Sequence, residues 1–225
     1  MKTTLCTLLM IHLLGCGGKS YEYVRFETTQ PEGVKESGSF NKKLKGEYIS
    51  CSNPDDRIII SDKMILNFEK FNFKAHRNEL EFDSTVSVNI NNNDELKKFL
   101  KDEGFETEIS GDTINLFHTN TDTIFLISES QVLKTFKGSY FLNFKRDENF
   151  WDVMRMDTHK DSLFMGQIVP SDTLLQFDFA MKREEFNGTD STTTTRYSMK
   201  PSRKEFKKLM KPNYFDRVKC YCKKK

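Results

Sequence analysis

Apolar and polar residues alternate in short runs along this chain, each bounded by Asn, Asp, Ser or Gly, and the two-residue period predicts strands. Strands are expected over 47–51, 57–60 and 64–68, and again over 140–145, 150–156 and 163–169. Trp151 and Val153 fall on one face of the fifth run and are candidate core residues. Thr113–Phe117 and Thr123–Ile127 predict a hairpin turning at Thr119-Asn120-Thr121. At two places the period changes to i, i+3, i+4. Leu96, Phe99 and Leu100 mark one amphipathic helix, and Phe206, Leu209 and Met210 mark another. Ser202 and Glu205 stand at capping-box spacing before the second. The span from Met181 to Ser198 holds Asn187-Gly188 and Thr192 to Thr195, and reads as a polar loop.

The pattern also repeats. Glu95-Leu96-Lys97-Lys98-Phe99-Leu100-Lys101 returns as Glu205-Phe206-Lys207-Lys208-Leu209-Met210-Lys211, and Phe105-Glu106 returns as Phe215-Asp216 at the same spacing. Upstream, Leu44-Lys45-Gly46-Glu47-Tyr48 returns as Phe136-Lys137-Gly138-Ser139-Tyr140. Two matches in the same order predict tandem modules over 40–127 and 128–225. Each module is expected to open on a short helical turn closed by a left-handed glycine, Gly46 or Gly138, with Ser128 and Gln131 capping the second. Two copies are too few for a solenoid. The expected fold is therefore α+β: a mainly antiparallel sheet with a few short helices, its two related modules packed as one body.

Composition sharpens this in two respects. Alanine, the best helix former, occurs only at Ala75 and Ala180, which favours strands, and 20 Phe supply a core. The 35 basic and 33 acidic residues nearly cancel, which argues against a nucleic-acid binder. Basic residues gather late, from Lys200 to Lys211 and at Lys223-Lys224-Lys225; a solvated helix face and a frayed tail account for them.

The N-terminus carries an address. Lys2 is followed by the largely apolar run Leu5–Leu14, too short to span a bilayer, and then by Gly15, Gly17 and Gly18. Its end, Leu13-Leu14-Gly15-Cys16, resembles the lipobox of bacterial lipoproteins. The resemblance implies a signal peptide over 1–15, cleavage before Cys16, and diacylglycerol on the Cys16 thiol with acylation of the new amine. Two or three chains on one residue anchor stably, whereas one holds only marginally. No Asp follows Cys16, which favours the outer membrane, and no acidic run follows that would send the chain to the cell surface, leaving the periplasmic face. Residues 16–39, with Gly, Ser, Thr, Glu and Pro31, read as a tether.

Candidate chemistry is sparse. Cys51, Cys220 and Cys222 lie beyond the lipidated Cys16, and an exported chain permits a disulfide. A bridge from Cys51 to Cys220 or to Cys222 would tie the two ends of the domain together. The Cys-x-Cys pair lacks a third ligand at telling spacing, so no metal or other cofactor is expected. His76, His118 and His159 stand alone, and Asp55-Asp56 and Glu184-Glu185 read as turn or loop residues. Asp, then Ser or Thr, then an apolar residue or Thr recurs six times, as in Asp112-Thr113-Ile114 and Asp190-Ser191-Thr192. It resembles the O-glycosylation sequon of exported proteins in Bacteroides-type bacteria, although turn-to-strand chemistry explains most copies. Thr192, with Ser191, is the best candidate for a glycan. The lipobox, the composition and the Lys-Gly-x-Tyr and Phe-Leu-Asn-Phe strands loosely resemble small β-rich lipoproteins of such bacteria. The expectation is a non-enzymatic, membrane-anchored envelope protein that binds an envelope protein or glycan or plays an accessory part. A lipocalin-like carrier of a small apolar ligand and an enzyme without a recognisable motif are the alternatives.

Overall fold

The structure is a computed structural model that describes residues 20–80, 89, 91–187, 192–211 and 214–224. These form thirteen strands and two α-helices, in the order β1 (Ser20–Phe26), β2 (Gly46–Ser50), β3 (Asp56–Ile60), β4 (Met64–His76), α1 (Asn93–Asp102), β5 (Glu106–Ser110), β6 (Thr113–Leu126), β7 (Gln131–Phe136), β8 (Ser139–Lys145), β9 (Trp151–His159), β10 (Ser162–Ile168), β11 (Ala180–Asn187), β12 (Thr192–Met199), α2 (Arg203–Leu209) and β13 (Phe215–Lys223). Single 3-10 turns lie at Arg77–Glu79 and Asp172–Gln176. All thirteen strands join one sheet, ordered β11-β12-β1-β9-β10-β13-β2-β3-β4-β6-β5, with β8 carrying β7 on the side of β9 away from β10. Every pairing is antiparallel except that of β1 with β12. The expected α+β class is thus corrected to a β-rich fold built on a single mixed sheet.

Four local corrections explain the difference. The tether read over 16–39 does not run free where it is described. Ser20–Phe26 is a strand beside β12, with Val24 and the buried Phe26 turned to the core. The polar loop read over Met181–Ser198 is the hairpin of β11 and β12, because the β-branched run Thr192–Thr195 suits a paired strand. The hairpin read at Thr119-Asn120-Thr121 is straight. β6 runs through it for fourteen residues, paired with β4 from Met64↔Leu126 to His76↔Thr113. Finally, the helical turn expected before Gly138 is β7. Lys137 and Gly138 both take positive φ, 51° and 82°, and make the two-residue turn whose twist matches a β-hairpin.

The helices behave as their spacing predicts. Asn92 caps α1, and Ser202 with Glu205 forms a capping box on α2. Leu96 and Phe206, each four residues past its cap, are both fully buried. Beyond the helices the halves diverge, since β5 pairs with β6 at a sheet edge whereas β13 pairs with β10 and β2.

Three clusters hold the sheet in shape. Tyr48, Ile65, Phe125, Leu142, Met156 and Tyr221, from six different strands, meet in one core, so the sheet curls about its own inner face. On the outer face α2 closes a second core. There the Phe206 ring lies edge-on to Phe26, Phe141 and Phe215 at 6.0, 5.1 and 6.3 Å between centroids. A third, smaller core of Leu96, Leu100 and Ile114, with Ile109 and Leu116 against it, joins α1 to β5 and the start of β6. The basic C-terminus is not frayed where it is described: Lys223 ends β13 and its ammonium donates to the Lys43 carbonyl at 2.8 Å.

The inner core has a consequence at high pH. Burial pushes the Tyr221 phenol up to about 12, with Asp56 and Glu69 adding to the shift. Burial also raises Tyr48, Tyr140 and Tyr197. A phenol whose folded pKa exceeds its unfolded value stabilises the fold fully below the unfolded value, about 10, and loses that contribution as pH rises through the folded one. Stability is therefore expected to fall between about pH 10 and 12, with these phenols ionising only as the fold opens. Phenolate absorbance and far-UV circular dichroism recorded on the same alkaline series check this. Full phenolate absorbance with the sheet signal intact would contradict it.

Candidate functional site

The strand period that shapes the sheet also brings three cysteine sulfurs together. On β13, Cys220 and Cys222 are two residues apart and so face the same side. Antiparallel pairing sets Tyr221 against Ser50 at the end of β2, and the Cys51 N–H donates to the Cys220 carbonyl at 2.8 Å. Cys51 therefore stands opposite Cys220, and the two are joined as a disulfide with Cα atoms 5.4 Å apart. Of the two bridges open to Cys51, the structure holds the one to Cys220. Cys222 keeps an exposed thiol, 3.4 Å from the Cys51 sulfur and 3.9 Å from the Ser162 hydroxyl. A cleft of about 400 Å³ opens beside the bridge, with Lys219, Asp56, Ser50 and Ser52 in its wall.

Another cleft, about 460 Å³, lies on the outer face near the end of α2. The Arg155 guanidinium donates to Asp157 at 3.0 Å, to the Ser139 hydroxyl at 3.3 Å and to the Met210 carbonyl at 2.6 Å. Ser139 in turn donates to Asp157 at 2.5 Å. Every charged group in that trio is matched, and the guanidinium ties the last turn of α2 to β9. The arrangement is a clamp. It offers no base to Ser139 beyond a carboxylate that the arginine already neutralises. A third recess, about 210 Å³ and mostly apolar, is lined by Ile124, Met154 and Met165 at the rim of the inner core.

The remaining sequence candidates do not converge. Cys16 and Ser191 lie outside the described residues, as do residues 1–15, expected to be a signal peptide. Thr192 opens β12 opposite Asn187 and is half-buried. His76 and His118 sit at separate registers of the β4–β6 ribbon, His118 against Phe105 with its Nδ1 3.2 Å from the Gly104 carbonyl, and His159 ends β9. With Cys51 and Cys220 joined, no group of three His, Cys, Asp or Glu side chains among the described residues is placed to hold a metal ion. No helix among them is long and apolar enough to cross a membrane. The sequence reading missed the Arg155–Asp157–Ser139 clamp and the cleft beside Cys51. The Arg-x-Asp spacing on a strand was the one signal for the first. Compared with protein-family models, curated proteins and solved structures, the chain finds no match in any of the three.

Proposed function

We propose that this chain is a lipid-anchored protein of the bacterial cell envelope whose folded body is a binding or accessory module and not an enzyme. The observation that carries the reading is Leu13-Leu14-Gly15-Cys16 at the end of a short apolar run behind Lys2. The Cys51–Cys220 bridge supports it, because disulfides persist outside the reducing cytosol. So does the start of β1 at Ser20. Four peptide steps from Cys16 span at most about 14 Å, so acyl chains there would hold the body close against the bilayer. Pairing of Ser20 with Thr193 then brings the start of β12 to the membrane-proximal end. A glycan on Thr192 would sit near the lipid headgroups.

Two features favour a binding or accessory part over apolar transport. The inner core is filled by side chains no more than 3% exposed, from Tyr48 to Tyr221. The apolar recess at its rim, about 210 Å³, is smaller than the roughly 300 Å³ at which drug-sized ligand sites begin. Partner-facing surface is available on the β4–β6 ribbon, where Phe71 and Phe73 are 40% and 52% exposed. Absence of Asp after Cys16 favours the outer membrane, periplasmic face. The test is metabolic labelling with an alkyne fatty acid. Label is expected in the native chain and lost, by about tenfold or more, in Cys16→Ala, which also leaves the membrane fraction. A variant that still takes up label, or a native chain without it, overturns the proposal.

A further inference from the structure

The three sulfurs do more than the anchoring and binding reading requires. A structural bridge needs two cysteines. Here a third thiol, solvent-exposed, rests 3.4 Å from one bridge sulfur, and the bridge opens onto a cleft of about 400 Å³. We infer that Cys51, Cys220 and Cys222 form a thiol–disulfide exchange site that admits thiol-bearing molecules from solution. In the internal step the Cys222 thiolate attacks the Cys51 sulfur, the Cys51–Cys222 bond forms and the Cys51–Cys220 bond breaks. Cys220 leaves as a thiolate and takes up a proton from water to replace the one Cys222 gave away. Nothing is oxidised or reduced overall, so no further reagent is needed.

An external thiolate in the cleft enters the same cycle. It attacks the Cys51 sulfur, expels Cys220 and forms a mixed disulfide on Cys51. Cys222 then attacks that same sulfur, releases the external thiol unchanged and leaves the bridge as Cys51–Cys222. The geometry suits both steps. Cys220 and Cys222 share one face of β13, so either reaches Cys51 without the sheet re-pairing. This inference does not rest on the anchoring proposal, since the sulfurs meet whether or not Cys16 is acylated.

The test uses the full chain and chymotrypsin, which cuts after Tyr221 and so separates Cys220 from Cys222. After incubation at about pH 8, where thiolates form, free thiols are blocked in acid and linked peptides are mapped by mass spectrometry. Both Cys51–Cys220 and Cys51–Cys222 are expected, the minor one at about a tenth of the total or more. In Cys220→Ser the bridge is expected to move to Cys222, and in Cys222→Ser to stay on Cys220, so both variants keep the fold. Reduced glutathione is the external probe. Acid quenching should trap glutathione on Cys51 in the native chain and in Cys222→Ser alike, because Cys220 resolves the mixed disulfide in the variant. A native chain linked only through Cys220 with Cys222 fully alkylated, or a Cys220→Ser chain with thiols free at both 51 and 222, would overturn the inference. So would a native chain that carries no glutathione on Cys51.

Discussion

Cys51→Ser is expected to lower the free energy of unfolding by about 3–5 kcal/mol, because it removes the cysteine that every intramolecular bridge in the cluster requires. The bridge spans 169 positions of sequence, so it excludes a large share of the conformations open to the unfolded chain. It also reinforces a short seam. β13 meets β2 through three paired positions, Tyr221↔Ser50, Cys222↔Ile49 and Lys223↔Tyr48, flanked by the Cys51–Cys220 and Lys224–Glu47 backbone bonds. For a chain of this size the loss corresponds to a fall in Tm of roughly 10–15 °C. Cys220→Ser should cost much less, since Cys222 can take its place. Thermal unfolding of the three chains under non-reducing conditions gives the comparison. A Cys51→Ser chain that melts within about 2 °C of the native one would mean that the bridge adds almost nothing to the seam.

The cluster was half legible in the sequence. A Cys-x-Cys pair on a strand puts both sulfurs on one side, and the position of Cys51 at the end of the first strand made it the obvious partner. Which of the two it joins was not legible, because register decides it, and register between β2 and β13 depends on pairing across the whole chain. The same physics divides the rest of the fold. Strands β2, β3, β8, β9 and β10, joined by short turns, and helices α1 and α2, with their own caps and apolar faces, could be read locally. β1 could not, since its partner β12 lies more than 170 positions away and runs parallel to it. β12 could not for the reciprocal reason: Thr192–Thr195 looks like a loop until Tyr21 and Glu22 are placed beside Thr194 and Thr195. At Gly138 the tripeptide Phe-Lys-Gly suits a helix end and a two-residue hairpin equally well. Tyr140–Lys145 on the far side, which pairs back with β7, selects the hairpin.

Asn143→Leu is expected to cost about 3–5 kcal/mol, although leucine is nearly the same size and the site is apolar on several sides. Asn143 is fully buried on β8 and uses its whole amide. Its carbonyl oxygen accepts from the Gln30 N–H at 2.6 Å, and its NH₂ donates to the carbonyls of Gln30 at 2.9 Å and Val132 at 3.1 Å. Gln30 is itself fully buried, so leucine would strand both its backbone groups away from water, at about 1–3 kcal/mol each. A second clamp lies next to it. The Lys134 ammonium donates to the carbonyls of Thr29 and Pro31 at 3.0 and 3.1 Å, and burial holds its pKa below the ordinary lysine value. Because Asn143 and Lys134 grip three consecutive residues, Lys134→Met added to Asn143→Leu should cost less than the sum of the two. Together they fasten the segment that follows β1 to β7 and β8. Loss of either clamp should therefore raise proteolysis and hydrogen exchange between Glu27 and Phe40 before the rest of the sheet opens. A uniform loss of protection across all strands would instead make Asn143 an ordinary core residue, with no special hold on the N-terminal segment.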